Sequence, residues 1–281
     1  MMDERHNYEY DVDAGAQTAP AHVVRMVGNG KRVLEIGCGP GSITKILAQQ
    51  NGCVMTGMEL DPAAIKKVTP YCVRVIQADL NSSDWPNLLQ ASEKFDVVVA
   101  ADVLEHLYDP WNTLRRMAPL INPDGYLVIS LPHVGHAAVM SCLINGDFEY
   151  RDWGLLDRTH IRFFGLKNIE ALFAQAGLKI VEAKYVITAP EETEFAAGWS
   201  RLSAPVQEAL MSSNHSEVYQ VVVKAVPLDR AGDAVPLAPA RRDHRPKAPA
   251  GTSWRSQIGA HMSPKLKQNI RKGFNLLGIR L

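Results

Sequence analysis

The residue types that could do chemistry in this chain follow short apolar runs of strand-like sequence. A glycine-rich stretch from Gly37 to Gly41 follows the first run, and carboxylates follow the next two. Glycine has no Cβ, so the backbone can turn sharply and approach a ligand, and a helix that begins there points free N–H groups at it. This pattern predicts a ligand site built from backbone, with a plain tight turn as the alternative.

The spacing of the glycines narrows the choice of ligand. A dinucleotide-binding fingerprint, G-x-G-x-x-G, would need glycine at position 42, which is Ser42. The observed spacing is G-x-G-x-G instead, which argues against NAD and FAD.

Short apolar runs alternate with amphipathic stretches from Arg32 to Ser130, and this rhythm is typical of βαβ units. It predicts an α/β fold with a doubly wound, mostly parallel, seven-stranded sheet. The predicted strands are Arg32–Ile36, Val54–Glu59, Val73–Gln77, Asp96–Ala100, Tyr126–Leu131, Leu178–Val186 and Val218–Val226. The predicted helices are Ser42–Gln50, Pro62–Val68, Trp85–Gln90, Trp111–Leu120 and Leu166–Gly177, and Pro123-Asp124-Gly125 is a predicted turn.

The stretch Glu35-Ile36-Gly37-Cys38-Gly39-Pro40-Gly41 resembles the first motif of the class I S-adenosylmethionine (SAM)-dependent methyltransferases, and further landmarks follow in order over roughly residues 8–227. The resemblance implies SAM as the cofactor and the Rossmann-like fold of that family. The residues it assigns to cofactor binding are Glu35, Gly37, Cys38, Gly39, Gly41, Glu59, Leu60, Asp79, Leu80, Ala101 and Asp102.

Three of these carboxylates have implied roles. Glu59 is the last residue of the second predicted strand, and its two carboxylate oxygens could accept hydrogen bonds from the two ribose hydroxyls. Asp79 matches the family's acid for the adenine amino group, and Glu35 would orient the loop and the cofactor's amino group. The alternatives are a solvated acid for Glu59, a turn or cap residue for Asp79, and a structural carboxylate for Glu35. Residues 100–107 resemble the segment that borders the acceptor pocket.

Methyl transfer needs the acceptor atom aligned at about 3 Å with water excluded. A hydroxyl acceptor also needs a base, and histidine has a pKa near the operating pH. We predict His160 as the catalytic base with Asp157 as its orienting acid, and His106 as a further catalytic candidate. His133 and His136 are the other candidate bases. The alternative is that the polar residues around position 160 only hold residues 132–164, which we call the cap, against the body.

The sequence Asp102-x-x-Glu105-His106 is similar to the Glu-x-x-Glu-His metal-binding pattern of ubiquinone-pathway O-methyltransferases, with Asp in place of the first Glu. Oxygen ligands and one imidazole would suit Mg²⁺ beside a substrate oxygen. The departure from the pattern weakens this interpretation. Our main expectation is therefore that no metal is bound and that these residues cap a helix beside the cofactor.

The resemblance implies O-methylation of a small-molecule or glycan-type acceptor, such as a sugar hydroxyl in cell-surface polysaccharide biosynthesis. Residues 156–164 are similar to a segment of methyltransferases associated with bacterial cell-surface glycans. Two alternatives remain open. One is a ubiquinone-type phenol O-methyltransferase, and the other is a non-catalytic SAM-binding regulatory or scaffold module.

The carboxyl-terminal region differs in charge from the rest of the chain. Between residues 230 and 281, eleven Lys and Arg stand against two Asp, so this region carries +9 in a chain of zero formal net charge. We predict a methyltransferase domain over residues 1–227, a disordered Pro/Ala/Arg-rich linker over 228–263, and a basic amphipathic helix over 264–281. Such a helix would dock to an anionic membrane or a partner enzyme, with a frayed tail as the alternative.

Apolar residues make up 46% and charged residues 21% of the chain, as in ordinary globular proteins. The four cysteines form no C-x-x-C pair, and no apolar run reaches signal-peptide or membrane-spanning length. These features predict a cytoplasmic enzyme, peripheral at the inner face of the membrane if the basic segment docks there. We expect no nucleic-acid partner, because the positive charge lacks interleaved aromatic residues.

Overall fold

The structure is a computed structural model and describes residues 9–90 and 92–237. Within these residues, seven strands form one sheet in the order β3-β2-β1-β4-β5-β7-β6. The strand β7 runs antiparallel to both of its neighbours, and the remaining pairs are parallel. The predicted seven-stranded, mostly parallel sheet is confirmed. The strands are β1 Arg32–Ile36, β2 Val54–Glu59, β3 Arg74–Gln77, β4 Phe95–Ala101, β5 Ile121–Pro132, β6 Leu178–Ile187 and β7 Val218–Pro227.

Eight α-helices and five short 3₁₀ turns lie in the described ranges. Two of them begin with an Asp cap followed by proline: Asp61 accepts the N–H of Ala63, and Asp109 accepts the N–H of Asn112. The helices are α1 Ala19–Val27, α2 Ser42–Gln49, α3 Pro62–Val68, α4 Pro110–Met117, α5 Ala137–Ile144, α6 Leu166–Gln175, α7 Ala196–Ser200 and α8 Ala204–Met211.

The core lies on both faces of the sheet. Successive residues of a strand point to opposite faces, so Val33 packs with the apolar residues of α1 and α2, while Leu34 packs with those of α4 and α6. Central strands that are buried on both sides read as continuous apolar runs, which is why the sequence predicted them well.

The helices α1 and α5 were not predicted, whereas α7 and α8 lie in a stretch, about residues 191–211, that was expected to be helical or irregular. Thr18 caps α1, and its Oγ1 accepts the N–H of Ala21 at 3.4 Å. The helix α5 lies inside the cap, where no helix was predicted. Its sequence, Ala-Ala-Val-Met-Ser-Cys-Leu-Ile, has no polar face and therefore no helical periodicity, and its cap residue is His136, an unusual choice.

Some predicted boundaries are corrected. The predicted turn at Pro123-Asp124-Gly125 lies inside β5, where pairing moves from Phe95–Ile121 to Val97–Tyr126, so the extra residues of β5 form a bulge. The predicted helix over 85–90 is a 3₁₀ turn, Trp85–Leu88. Other ends differ by one to three residues.

The packed part of the chain extends past the predicted boundary at residue 227. Leu237 is buried in the core, the N–H of Val235 donates to the carbonyl of Ile180 at 2.8 Å, and Arg230 donates to the carbonyl of Asn122 at 2.7 Å. The rest of the predicted linker and the basic segment 264–281 lie outside the described residues. Where the chain is described, it contains no helix of the length and apolarity that crossing a membrane would require.

Candidate active site

The glycine-rich loop joins β1 to α2 at the carboxyl edge of the sheet. Gly37, Gly39 and Gly41 have φ values of 67°, 54° and 94°, which residues with a side chain rarely adopt. The N–H groups of Gly37 and Cys38 donate to the carbonyl of Met58 in β2, at 2.8 and 3.1 Å. The loop is therefore pinned to the neighbouring strand.

The three glycines differ in what a side chain would meet. A Cβ on Gly37 would lie 2.7 Å from Val103, and one on Gly41 would lie 2.8 Å from Val68. A Cβ on Gly39 would have no described protein atom within 4 Å. Packing thus requires the first and third glycines, whereas Gly39 faces open space where a ligand can approach the backbone.

Glu59 is the last residue of β2, and its side chain accepts a hydrogen bond from the glycine-rich loop. Its Oε2 accepts the N–H of Gly39 at 2.8 Å, and its Oε1 accepts those of Leu60 and Asp61 at 2.8 and 2.9 Å. A carboxylate has about four acceptor positions, so about one remains, on Oε2. Contact with both ribose hydroxyls, as predicted, would therefore require one backbone N–H to be displaced.

Asp79 follows β3, the strand next to β2. Its Oδ1 accepts the N–H of Asn81 at 2.9 Å, which makes an Asx turn, and the side chain is exposed. The N–H of Ala78 donates to the carbonyl of Glu59 at 3.0 Å, so the two carboxylates follow neighbouring strand ends. The exposed side chain of Leu60 lies at the same edge.

Glu35 lies in β1 and is buried beneath the loop. Its Oε2 accepts the hydroxyl of Thr44 in α2 at 2.6 Å, and burial raises its pKa to about 7. The carboxyl group therefore links β1 to α2, as in the structural alternative. Cys38 is also buried, against Gly57, where an added Cβ would lie 2.9 Å from its Sγ. Cys38 thus presents backbone, not its thiol, at the loop.

Asp102 follows β4 and has a φ of 53°, a conformation that costs a non-glycine residue about 1 kcal/mol. Its Oδ1 accepts the hydroxyl of Ser130 at 2.8 Å and the amide of Gln220 at 3.0 Å. Burial raises the pKa of Asp102, and these hydrogen bonds oppose that shift. Ala101 and Leu80, two further predicted cofactor residues, are half-buried at the ends of β4 and β3.

The strand order brings these residues to one crevice. The chain winds outward from β1 to β3 and then crosses back to β4, which lies on the other side of β1. Open α/β sheets bind ligands outside the carboxyl ends of their strands at such a switch point. The glycine loop, Glu59, Asp79 and Asp102 all occupy that edge, which we call the cofactor edge.

Tyr10 is a residue of this edge that sequence reasoning missed. Its N–H donates to Oγ of Ser42, the first residue of α2, at 3.0 Å. Partial burial of the side chain, of which 40% is still exposed, and the nearby carboxylates of Asp102 and Glu35 raise the pKa of Tyr10. The residue belongs to a polar amino-terminal stretch that carries no signal of a site.

Three side chains from two distant segments meet beyond β4. Glu105 and His106 belong to a 3₁₀ turn after the strand, and His160 belongs to the cap. Their ligand atoms lie within 4.8 Å of one another, and the two imidazole rings meet edge-on with centroids 4.7 Å apart. We call these three residues the Glu-His-His cluster. The Glu105 carbonyl accepts the N–H groups of Ile161 and Arg162, both at 3.0 Å, and so fixes the cap beside it.

Charge in the cluster is unfavourable. Burial, together with the carboxylates of Asp102 and Asp157, raises the pKa of Glu105 well above its ordinary value. Burial lowers the pKa of His160 to about 4. His160 is therefore neutral at pH 7, and a base of such low pKa is a weak proton acceptor there.

A backbone carbonyl orients the ring of His160, and the pairing of His160 with Asp157 stays a prediction. His160 Nδ1 lies 3.3 Å from the carbonyl oxygen of Leu155, to which it donates. Asp157 Oδ1 accepts the N–H and the hydroxyl of Thr159, at 2.8 and 2.7 Å. The negative charge of Asp157 still raises the pKa of His160, but burial outweighs it.

The other candidate bases hold the cap in place. His133 Nδ1 donates to the carbonyl of Val218 at 3.1 Å. His136 donates from Nε2 to the carbonyl of Thr188 at 2.9 Å, and its Nδ1 accepts the N–H of Ala138 at the start of α5. Both residues therefore serve the structure of the cap.

A family model described as a methyltransferase domain matches residues 8–183, more than half of the chain. A ubiquinone biosynthesis O-methyltransferase from Azorhizobium caulinodans is 28% identical over 169 residues, which cover 59% of this chain and 66% of that relative. The chain thus spans slightly less than two thirds of that relative. A ubiquinone biosynthesis O-methyltransferase from Aeromonas salmonicida is 26% identical over 171 residues, 60% of this chain and 71% of the relative.

Solved structures show the same fold. A SAM-dependent methyltransferase from Archaeoglobus fulgidus has a TM-score of 0.52 at 19% identity and covers 73% of this chain and 91% of its own. Magnesium protoporphyrin IX methyltransferase from Synechocystis PCC 6803, with bound SAH, has a TM-score of 0.50 at 18% identity and covers 75% and 82%. The matched family model and the crevice together show that this chain belongs to the class I SAM-dependent methyltransferases and uses SAM as its cofactor.

Proposed function

We propose that this enzyme methylates a hydroxyl group of a glycan-type or small-molecule acceptor. The Glu-His-His cluster carries the proposal. It lies close to the glycine loop, because Val103, two residues before Glu105, packs directly against Gly37. An alcohol must lose its proton during transfer, whereas a neutral amine can attack without a base. Because His160 is a weak base at pH 7, His106 is the residue that would take this proton, and a histidine in that position favours an oxygen acceptor.

The cofactor edge fits SAM, which supplies an electrophilic methyl group. The open space at Gly39 admits a ligand to the loop backbone, and Glu59 Oε2 retains an acceptor position for a ribose hydroxyl. The exposed carboxylate of Asp79 can accept from the adenine amino group. These residues would bind and orient the cofactor, and Tyr10 would cover it from the amino-terminal side.

Exposed aromatic side chains in the turn after His106 and in the cap favour a sugar over a smaller acceptor. Tyr108 lies two residues after His106 and is 70% exposed, while Tyr150 and Trp153 in the cap are 60% and 46% exposed. Exposed aromatic faces are costly in water and commonly mark ligand surfaces. Their apolar faces and polar tips suit the mixed C–H and hydroxyl surface of a sugar ring.

A phenol acceptor is the second candidate. The relatives described above are named for ubiquinone biosynthesis. The Asp102-x-x-Glu105-His106 sequence also resembles the Glu-x-x-Glu-His pattern of ubiquinone-pathway O-methyltransferases. A phenol has a pKa near 10, so it loses its proton more readily than a sugar hydroxyl and needs less help from a base.

Methyl-labelled SAM tests the proposal against a panel of acceptors: nucleotide sugars, a glycan-enriched extract of a bacterial envelope, a prenylated catechol and a primary amine. We expect label in the sugar or glycan arm, recovered as O-methyl sugar after acid hydrolysis. Label only in the catechol would favour the phenol candidate. SAM binding without transfer in any arm would favour a non-catalytic module. The Gly39→Val variant controls for contaminating activity.

A further inference from the structure

A pocket lies on one face of the sheet, between α1 and the outer strands β6 and β7. Its volume is about 380 Å³, which falls in the range of small-molecule sites. We call it the basic pocket, and its lining residues are His22, Arg25, Met26, Glu182, Lys184 and Lys224. Lys224 pairs with Val128, four residues before the carboxyl end of β5, so the pocket does not belong to the cofactor edge.

The charges of the basic pocket do not balance. Arg25, Lys184 and Lys224 supply three positive charges, and Glu182 supplies the one negative charge among the lining residues, which leaves +2. Lys184 Nζ lies 3.7 Å from Glu182 Oε1, so the one carboxylate already has a cationic partner. Like charges that converge repel one another, and an anion in the pocket would remove that cost.

His22 adds a hydrogen-bond donor to the basic pocket. The residue is 6% exposed, and its Nδ1 accepts a hydrogen bond from the guanidinium of Arg25 at 2.8 Å. Burial and the charges of Arg25 and Lys184 lower the pKa of His22 to about 4, so the ring is neutral at pH 7. Because arginine only donates, the ring hydrogen is on Nε2, which has no hydrogen-bond partner in the described part of the chain. The ring therefore lacks an acceptor, which the oxygen of an anion would provide.

Two of the cations are held in place by other groups of the protein. The Arg25 guanidinium donates to two backbone carbonyls before α1 as well as to His22, which uses three of its five N–H groups. Lys224 Nζ lies 3.8 Å from the centroid of the Tyr126 ring. The Tyr126 hydroxyl in turn donates to the last carbonyl of α1 at 2.8 Å. Cations fixed in this way lose little conformational freedom when an anion binds.

We propose that the basic pocket binds the phosphoryl group of a small phosphate monoester. Such a group carries nearly two negative charges at pH 7, which match the net charge of +2, whereas a carboxylate carries one. Arginine and lysine are the usual partners of phosphate oxygens. The volume leaves room for the organic part of the ligand, to which Met26 offers apolar contact. The ligand would bind away from the cofactor edge, so this site does not depend on which acceptor is methylated.

Calorimetry on the full chain, in phosphate-free buffer with saturating SAH, tests the basic pocket while the cofactor edge is occupied. The probes are phenyl phosphate and benzoate. We expect phenyl phosphate to bind at one site per chain, and benzoate to bind at least about 10-fold more weakly because it carries one charge. Lys224→Met should weaken binding of phenyl phosphate by about 10- to 100-fold, as for the loss of a charged hydrogen bond. Glu182→Gln should strengthen it, a result that damage to the fold would not produce.

Lys167→Met is the matched control. It removes the same charge from an exposed lysine of α6, which packs on the other face of the sheet, so it should leave the affinity for phenyl phosphate unchanged. Absence of heat with phenyl phosphate at millimolar concentration would overturn the proposal. Equal losses of affinity in Lys224→Met and Lys167→Met would also overturn it, because they would show diffuse charge attraction instead of a site.

A lipid headgroup is the other source of such a phosphoryl group, so vesicles that contain phosphatidic acid are a second probe. If Lys224→Met reduces sedimentation with these vesicles and Lys167→Met does not, the phosphoryl group belongs to a lipid. If phenyl phosphate binds and the two variants sediment with the vesicles equally, the ligand is a soluble monoester. Both results support the basic pocket as a phosphoryl site, and neither bears on which acceptor is methylated.

Discussion

The cofactor edge and the Glu-His-His cluster share one edge of the sheet but are built differently. The cofactor edge depends on a continuous stretch, residues 35–41, whose glycines have backbone angles that side chains rarely adopt. The cluster brings together side chains that are 54 residues apart in the sequence. It depends on the backbone hydrogen bonds that the cap donates to the Glu105 carbonyl. The first region is made by local backbone, and the second by tertiary contact.

This difference predicts that separate substitutions can alter cofactor binding and methyl transfer. Binding of the cofactor should depend on the loop and the strand-end carboxylates, whereas transfer should depend on the cluster. The two regions touch through Val103 and Gly37, so a substitution that repacks this contact would affect both.

The largest expected effect is on SAM binding by Gly39→Val. A branched side chain would fill the open space before the loop, so we expect calorimetry to show a loss of affinity of at least about 1,000-fold, or 4 kcal/mol. Gly30→Val is the matched control, because Gly30 also has a positive φ, 63°, with no described atom near its Cβ position. Equal loss of SAM binding in both variants would mean that backbone strain, not ligand contact, explains the result.

Glu105→Gln should slow methyl transfer without weakening SAM binding. We expect kcat to fall by about 100-fold or more, as for the loss of a proton-transferring group at a reacting centre. The Kd for SAM should change less than about threefold, well under 1.4 kcal/mol. Parallel kinetics and calorimetry on one preparation check this split. A comparable loss of SAM affinity would remove the distinction between the regions.

Glu35→Gln should change how stability depends on pH. The folded pKa of Glu35 is about 7, against 4.5 for the unfolded group. The folded chain therefore keeps a proton that the unfolded chain has lost, so stability should fall between about pH 4.5 and pH 7 and then level off. The full shift corresponds to about 3 kcal/mol. Urea unfolding from pH 4.5 to pH 8 should show this decline in the wild type and a smaller one in the variant.

Glu59→Gln should weaken SAM binding without slowing transfer at saturating SAM. The amide has one acceptor oxygen, so it cannot hold the loop N–H groups and a ribose hydroxyl together. Loss of a charged hydrogen bond costs about 1.5 to 3 kcal/mol, or roughly 10- to 100-fold in affinity. The KM for SAM should rise accordingly. Asp61→Asn, which keeps the helix cap nearby, is the control and should leave KM unchanged.

The smallest expected effect concerns the basic segment 264–281, which lies outside the described residues. Deleting Pro264–Leu281 should reduce sedimentation with anionic lipid vesicles, and raising the salt should reduce it for the intact chain as well. SAM affinity should not change. Unchanged vesicle binding after the deletion would exclude membrane docking by this segment.

Much of the fold could be predicted from the sequence. Buried parallel strands are apolar on both faces, and the glycine-rich loop is one continuous stretch, so each has a recognisable local pattern. The loop, Glu59 and Asp79 follow strand ends that the pattern located correctly. By contrast, α5 has no polar face, and the meeting of Glu105 with His160 depends on how the cap folds back. Tyr10 reaches the site only because the amino-terminal stretch lies against α2. None of these three features has a local signal.

The most direct test measures the SAM dissociation constant and the transfer rate for Gly39→Val and Glu105→Gln, each beside the wild type. The account predicts that the first variant loses binding and that the second binds SAM normally but transfers slowly. If wild-type protein gave no calorimetric signal with SAM or SAH, or if Glu105→Gln transferred methyl groups at the wild-type rate, the assignment of the two regions would be contradicted.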